Sequence, residues 1–444
     1  MAVKFQSYPG TRDFYPADMA FRNWMFQVQR DVCARYSYQE YAAPILESTD
    51  LYRSKSSEEI VNEQLYTFTD RGDREVSVRP EMTPTLARLA VNRPNNYLLP
   101  LRWFSIANFM RYERPGKGRL REFYQLNVDL LGATGVAADA EILMIAVDLM
   151  LAYGASPDDF IVRISDRRLL DLWINIDDKE KLRSIGRLID KKEKITEAVF
   201  HDELQACCND TGIEERVRSY LSLHHESLSQ SAEQIIKAHP NADQINTKEL
   251  TEVLQHLSGV RSLLDATGFG KSVRFDPAIV RGFDYYTGLV FEIYDTNTEN
   301  RRAIFGGGRY DRLLGQFGKT EIAAVGFGMG DVTLQAFLEG HGLQPAEGEK
   351  HRVFFSLMNE SFLTETMQMA SKLRSKGVEV EVMTETTKKF GKQLELAEKR
   401  GFRFVLILGE DEIKSGKIIL KDLKASSQKQ LPLTDIVTAI QSAG

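Results

Sequence analysis

From Leu169 to Gly268 the chain runs for one hundred residues with helical periodicity and no strand signal, and strand-forming stretches lie on both sides. Amphipathic segments such as Lys181–Lys191, Glu214–His225 and Leu250–Leu264 mark it. This is the pattern of a helical domain inserted into a domain built from strands. A chain of 444 residues has room for two or three domains. The expected division is a first part at 1–165, the helical insertion at 166–268 and a second part at 269–340. A last domain follows at 350–444, behind the linker Gly340–Glu349.

Charged residues make up 27% and apolar residues 43%, as in an ordinary folded chain. The start, MAVKFQSYPGTRDFYP, has no apolar signal core, and no window approaches 18 uninterrupted apolar residues. Three cysteines, Cys33, Cys207 and Cys208, make no disulfide framework, so a reducing cytoplasm is expected, with no membrane as partner. Net charge is −6, which argues against a generic polyanion binder, but it is uneven. Residues 350–444 hold 16 Lys and Arg against 12 Asp and Glu, and the preceding residues hold 41 against 51. A basic tail domain behind an acidic body permits local contact with nucleic acid, although many surfaces carry such an excess. Neither His224-His225-Glu226 nor Cys207-Cys208 has zinc-ligand spacing, so no metal site is expected. None of the seven histidines lies in a motif, which disfavours a histidine base.

In the first part a helix is predicted over Ala17–Tyr36, with Phe21, Trp24, Met25, Val28 and Val32 on a core-facing stripe. Tyr38–Glu47 reads as extended, and Pro44 suggests an edge strand or an interface. Leu65–Arg79 reads as a hairpin turning at Asp70–Asp73. Pro80–Pro84 opens the next helix; Glu81 there fits dipole compensation, or an inward acceptor for an ammonium group. Strands at Arg102–Phe109 and Glu122–Leu131 flank a basic, glycine-bearing loop, Arg111–Arg121. That loop is either a solvated hairpin tip or a phosphate contact. The second strand puts Phe123, Gln125, Asn127 and Asp129 on one face, as a pocket floor would require. Thr134 is expected to cap a helix over Ala137–Tyr153.

In the second part, Val280–Asp295 (VRGFDYYTGLVFEIYD) ends in a strand from Leu289. Arg281 there can hold a phosphate or carboxylate beside Tyr285 and Tyr286, or form a structural pair with Asp284. Gly306-Gly307-Gly308-Arg309-Tyr310-Asp311 permits close backbone approach. It is neither a P-loop nor a dinucleotide fingerprint. Ala323–Gly330 leads into a helix at Asp331–Leu338. The last domain alternates strands and helices from Val353 onward, which implies a largely parallel sheet.

Taken together, RPEMT at 79–83, RYERPGKGR…REFYQLNVD at 111–129, VRGFDYYTGLVFE at 280–292 and GGGRYD at 306–311 resemble histidyl-tRNA synthetase of the class II type, over essentially the whole chain. The resemblance implies an α+β fold. Its parts would be an antiparallel-sheet class II synthetase catalytic domain with a helical insertion, plus a C-terminal α/β anticodon-binding domain. It implies histidine, ATP with Mg²⁺, and tRNA(His) as substrates and partners. It also implies a homodimer formed through the N-terminal helix and the strand around Pro44. Glu81, Thr83 and Gln125 would hold the histidine α-ammonium; Asp129 and Tyr286 would read the ring, with Tyr285 and Tyr310 completing the site. Asp129 stands where the family usually has glutamate. Arg111 would clamp the ATP α-phosphate, Phe123 would stack on adenine, and Arg281 would stabilise charge during attack. Glu113, Arg119, Arg121 and Arg309 would complete the nucleotide site. The arginine that usually meets the γ-phosphate is replaced by Thr333, and no Lys or Arg occurs between Lys319 and Lys350. Arg119, Arg121 and Arg309 are the candidates to compensate.

The expected function is therefore histidine–tRNA ligase. The alternative is a synthetase-like regulatory paralogue that binds histidine or tRNA without aminoacylation, against which the retained C-terminal domain counts. A tRNA-binding module with a dead core is a third reading, and the intact Glu81, Arg111 and Arg281 set argues against it.

Overall fold

The structure is a computed structural model. It describes residues 6–53, 60–92, 97–116, 118–192, 195–280, 285–297, 300, 302–317, 321–345, 352–385 and 388–442. Two compact units divide the chain, 1–344 and 345–444.

The first unit opens with helix α1 (Pro16–Arg35), where Pro16 sits in the first turn and the Asp18 carboxylate accepts the Tyr15 N–H at 2.9 Å. Its stripe goes into the core as predicted: Met25, Val32 and Cys33 are buried, and Phe21, Trp24 and Val28 pack against the same cluster. Two short strands follow, β1 (Gln39–Glu40) and β2 (Leu46–Ser48). Then come helix α2 (Thr49–Arg53), the hairpin β3 (Tyr66–Thr69) and β4 (Glu75–Val78), and helix α3 (Thr83–Asn92). Strands β5 (Leu101–Met110) and β6 (Glu122–Leu131) flank the basic loop. Helix α4 (Val136–Ala152) starts behind Gly135 at φ 84° with no side-chain cap, so Thr134 does not play the capping role expected of it. Strand β7 (Phe160–Asp166) precedes the helical run.

That run contains α5 (Arg167–Ile174), α6 (Lys179–Lys191), α7 (Glu197–Cys208), α8 (Thr211–Leu221), α9 (Ala232–Lys237) and α10 (Thr247–Ala266). Asp166, Asp178, Thr196, Asp210, Ser231 and Asn246 cap them in turn, each side chain accepting a first-turn N–H. Their apolar faces belong to the same continuous core as the strands: Ile185, Leu204, Tyr220 and Leu257 cluster with Val128, Ile142 and Phe291. Strands β8 (Val273–Phe275), β9 (Leu289–Asp295), β10 (Ala303–Arg309) and β11 (Ala324–Gly330), then helix α11 (Asp331–Gly340), complete the unit.

Eight strands form one sheet in the order β1-β5-β6-β11-β10-β9-β7-β8. Pairing is antiparallel from β5 through β7 and parallel only at the ends, β1 with β5 and β7 with β8. β1 is one edge of this sheet and β8 the other, and Pro44 lies between β1 and β2. β2, β4 and β3 make a separate small sheet.

In the second unit, β12 (Arg352–Phe355), β13 (Glu379–Val382) and β14 (Phe404–Ile407) are parallel, with helices α12 (Leu363–Arg374) and α13 (Phe390–Lys399) between them. After α14 (Glu410–Ser415), β15 (Lys417–Asp422) and β16 (Ser427–Pro432) add an antiparallel hairpin, and α15 (Ile436–Gln441) follows. The sheet is thus mixed rather than largely parallel. β16 reads SQKQLP and is nearly all exposed, so it carries no apolar alternation for sequence reading to detect.

Candidate active site

Three adjacent strands build the floor of a small pocket. Gln125, Asn127 and Asp129 of β6 stand opposite Gly330, Gly328 and Gly326 of β11, and Gly328 and Gly326 stand opposite Gly306 and Gly308 of β10. The glycines leave bare backbone across two strands. A Cβ on Gly326 would lie 2.3 Å from Asp129 Oδ1, and one on Gly328 would lie 2.8 Å from the Gln125 amide carbon. The Asp129 and Gln125 side chains therefore occupy the space that side chains on β11 would fill.

Glu81 and Thr83, Tyr285 and Tyr286, and Tyr310 wall the pocket, whose volume is about 60 Å³, several times what one water needs. The Tyr285 hydroxyl lies 3.4 Å from Glu81 Oε2 and 3.5 Å from Thr83 Oγ1. Its ring meets those of Tyr286 and Tyr310 edge-on, at 5.1 and 5.8 Å. The Tyr310 hydroxyl donates to Asp129 Oδ1. Burial pushes the Asp129 carboxyl up to about 7 despite that hydrogen bond. Burial likewise raises the Tyr285 and Tyr310 hydroxyls well above their ordinary value, keeping them as neutral donors.

Arg111, Tyr286 and Gly306 line both this pocket and a cleft of about 1310 Å³, so the two spaces meet there. Arg111 Nε donates to the Pro80 carbonyl at 2.9 Å, and its guanidinium lies over the Phe123 ring at 5.2 Å. Phe123 stacks on Phe109. Arg119, paired with Glu113 at 2.9 Å, lines the cleft, and Lys179, Arg183, Arg187 and Lys191 of α6 line it from the insertion. Arg281, with residues 282–284, lies outside the described residues.

The model of histidyl-tRNA synthetase matches residues 10–332, and that of an anticodon-binding domain matches residues 352–443. A histidine–tRNA ligase of Leptospira biflexa serovar Patoc is 42% identical across 98% of this chain and 97% of its own. The chain belongs to the histidyl-tRNA synthetase family. A histidine–tRNA ligase of Opitutus terrae is 35% identical over 98% of both chains. The crystal structure of histidyl-tRNA synthetase from Nostoc sp. PCC 7120 superposes with a TM-score of 0.82 over the whole of both chains at 22% identity, a likeness of fold. No helix among the described residues is long and apolar enough to cross a membrane.

Of the residues expected to hold the amino acid, Glu81, Thr83, Gln125, Asp129, Tyr285, Tyr286 and Tyr310 all line the small pocket, with Arg111 at its junction with the cleft. Asn127, expected on the pocket floor but given no role of its own, joins them.

Arg309 does not reach the pocket. Neighbours on a strand face opposite sides, so with Tyr310 inward, Arg309 points to the far face. There its Nε donates to Asp139 Oδ1 at 2.9 Å, and its Nη1 donates to Asp311 Oδ1 at 2.9 Å and the Ala133 carbonyl at 3.1 Å. The second Asp139 oxygen meets His256 Nε2 of α10 at 2.7 Å. Arg121 is also occupied elsewhere. It lies over the Tyr112 and Tyr8 rings and donates to the Glu113 carbonyl at 3.1 Å and the Tyr8 hydroxyl at 3.2 Å. Of the three arginines expected to compensate for Thr333, Arg119 alone lines the cleft. Thr333 itself donates to the Ile304 carbonyl at 2.5 Å and fastens α11 to β10.

Proposed function

We propose that the chain is a histidine–tRNA ligase, activating histidine with ATP and transferring it to the 3′ end of tRNA(His). The observation that carries the reading is a small pocket lined by two carboxylates, Glu81 at the Tyr285 hydroxyl and Asp129 at the hydroxyl of Tyr310, whose ring meets that of Tyr285. Such a pocket suits a small molecule bearing an ammonium group and a ring N–H. Glu81 accepts the α-ammonium, with Thr83 and Gln125 beside it. Asp129 accepts a ring N–H, and Tyr285, Tyr286 and Tyr310 enclose the ring. The substrate carboxylate then lies toward Arg111 and the cleft, and Phe123, beneath the Arg111 guanidinium, is the residue proposed to stack on adenine.

A carboxylate oxygen attacks the α-phosphorus, the bond to the β-phosphate oxygen breaks, and pyrophosphate leaves. Arg111 and Arg281 neutralise the charge that develops, and such transfers depend on positioning and charge stabilisation rather than on a histidine base. A ribose hydroxyl of the tRNA then attacks the acyl carbon and AMP departs. Mg²⁺ bound with the nucleotide would neutralise phosphate charge, and Glu113 and Arg119 line the cleft where those phosphates would lie. Residues 352–443 bind the anticodon. The retained C-terminal domain favours the ligase over a regulatory paralogue.

The unit of function in this reading is a cytoplasmic homodimer. Three free cysteines support a reducing compartment. Ile45 and Leu46 at the start of β2, and Leu98 and Leu99 just ahead of β5, are exposed, with Leu98 at 93%, whereas the α1 stripe is spent on the core. The dimer seam is therefore the Pro44 edge, with less of α1 than its sequence stripe suggests. Sedimentation is expected to give twice 50.4 kDa; a monomer at micromolar concentration overturns this. Histidine-dependent exchange of pyrophosphate into ATP tests the activity, and its complete absence at several millimolar ATP and Mg²⁺ overturns the ligase.

A further inference from the structure

Two consecutive arginines begin the insertion, and the structure gives them different work. Arg168 folds back on the helix cap, its Nε and Nη2 donating to the two Asp166 oxygens at 2.9 and 2.7 Å. Arg167 reaches across. Its backbone N–H donates to the Gly288 carbonyl at 2.8 Å, and its Nη1 donates to the Val280 carbonyl. It also lines the large cleft.

Val280 and Gly288 bracket the stretch in which Arg281 follows Val280 directly and Tyr285 and Tyr286 precede Thr287. Each end has other anchors. Val280 N–H donates to the Ala278 carbonyl at 2.9 Å, Ala278 N–H to Asp276 Oδ1 at 2.9 Å, and Arg163 holds the other Asp276 oxygen at 3.2 Å. Thr287 N–H donates to the Arg309 carbonyl at 2.7 Å, and its hydroxyl accepts the Asp311 N–H at 3.0 Å. These anchors tie each end to its own neighbourhood. Arg167 is bonded to both ends.

We infer that Arg167 is a positioning residue for amino-acid activation, tying Val280 to Gly288 and so fixing the approach of Tyr285 and Tyr286 to the substrate pocket. The bidirectional tether suits arginine: one residue offers a backbone N–H at the helix start and a planar, multi-donor head at the end of a long stem. The inference rests on the proposed activation reaction, in which Tyr285 and Tyr286 enclose the substrate. A displacement of about 1 Å in groups that position a reaction can cost on the order of a hundredfold in rate.

The test compares Arg167→Gln and Arg167→Lys with the unaltered chain. Three readouts are taken: histidine-dependent pyrophosphate exchange, urea unfolding, and hydrogen exchange of peptides covering residues 285–291. Arg167→Gln is expected to lower kcat at least about tenfold and raise KM for histidine, with KM for ATP within about twofold and the unfolding midpoint unmoved. Peptides 285–291 should exchange faster, and Arg167→Lys, which still presents a donor to Val280, should recover part of the rate. An unchanged kcat with unchanged peptide exchange overturns the inference. A rise in the ATP KM alone makes Arg167 a nucleotide ligand, and a rate loss that tracks the unfolding midpoint makes it a stabiliser; both also overturn it. If the unaltered chain shows no histidine-dependent exchange, the ligase reading fails, and peptide exchange still reports whether the tether exists.

Discussion

Asp129→Asn should make the protein more stable at neutral pH while weakening its hold on histidine. The carboxyl is 5% exposed, accepts one hydrogen bond from Tyr310, and is pushed by burial from 3.8 to about 7. Between those values the folded chain keeps a proton that the unfolded chain has released, so stability falls as pH rises through that window. The loss is complete above about pH 7, where both states are ionised and the folded state carries the whole desolvation cost. The rise from 3.8 to about 7 corresponds to roughly 4 kcal/mol as a ceiling. Asparagine at this position does not ionise, and its carbonyl oxygen can still accept the Tyr310 O–H. The stability difference between the variant and the unaltered chain should therefore move by about 2–4 kcal/mol in the variant's favour from pH 5 to pH 8. Urea unfolding followed by tryptophan fluorescence suits the measurement, because Trp24, Trp103 and Trp173 all lie in the first unit. Histidine affinity should drop about tenfold to a hundredfold, as for a lost hydrogen bond to a charged group, with ATP affinity unmoved. A stability difference that stays constant across that pH range would refute the argument that burial holds this carboxyl up.

Arg309→Met should leave Asp139 buried without its cation and destabilise the first unit by about 3–5 kcal/mol; a large rise in ATP KM with an unmoved urea midpoint would instead return Arg309 to the nucleotide. Arg119→Ala should raise the ATP KM about fivefold, near 1 kcal/mol, because its side chain is 53% exposed. Arg121→Ala should leave the ATP KM unchanged, and a larger effect at Arg121 than at Arg119 contradicts the geometry. Gly326→Ala would place a Cβ 2.3 Å from Asp129 Oδ1 and 2.5 Å from the Val128 carbonyl. It should cost about 1–3 kcal/mol and raise the histidine KM selectively, as steady-state kinetics in both substrates will show.

Short-range signals carried much of this protein. The helical run, the alternation from Phe123 to Asp129 and the glycine-bearing segments were legible because period and backbone freedom act within a few residues. Partners were not. Alternation places Arg309 and Tyr310 on opposite faces, but it does not say which face holds the ligand; the pairing of β10 with β11 and the buried Asp139 behind them settle that. Arg121 looked like a phosphate contact until the N-terminal segment, more than a hundred residues earlier, supplied Tyr8. The α1 stripe suits a core or an interface equally well, and α4 behind it makes it a core: the Tyr153 hydroxyl that closes the helix donates to the Met25 carbonyl at 2.9 Å. Arg167, with no motif of its own, acquires a role only when β8 and β9, paired on either side of β7, bring Val280 and Gly288 within its reach. In each case the deciding contact joins residues far apart in sequence, and a local pattern holds no information about which distant strand or helix will arrive beside it.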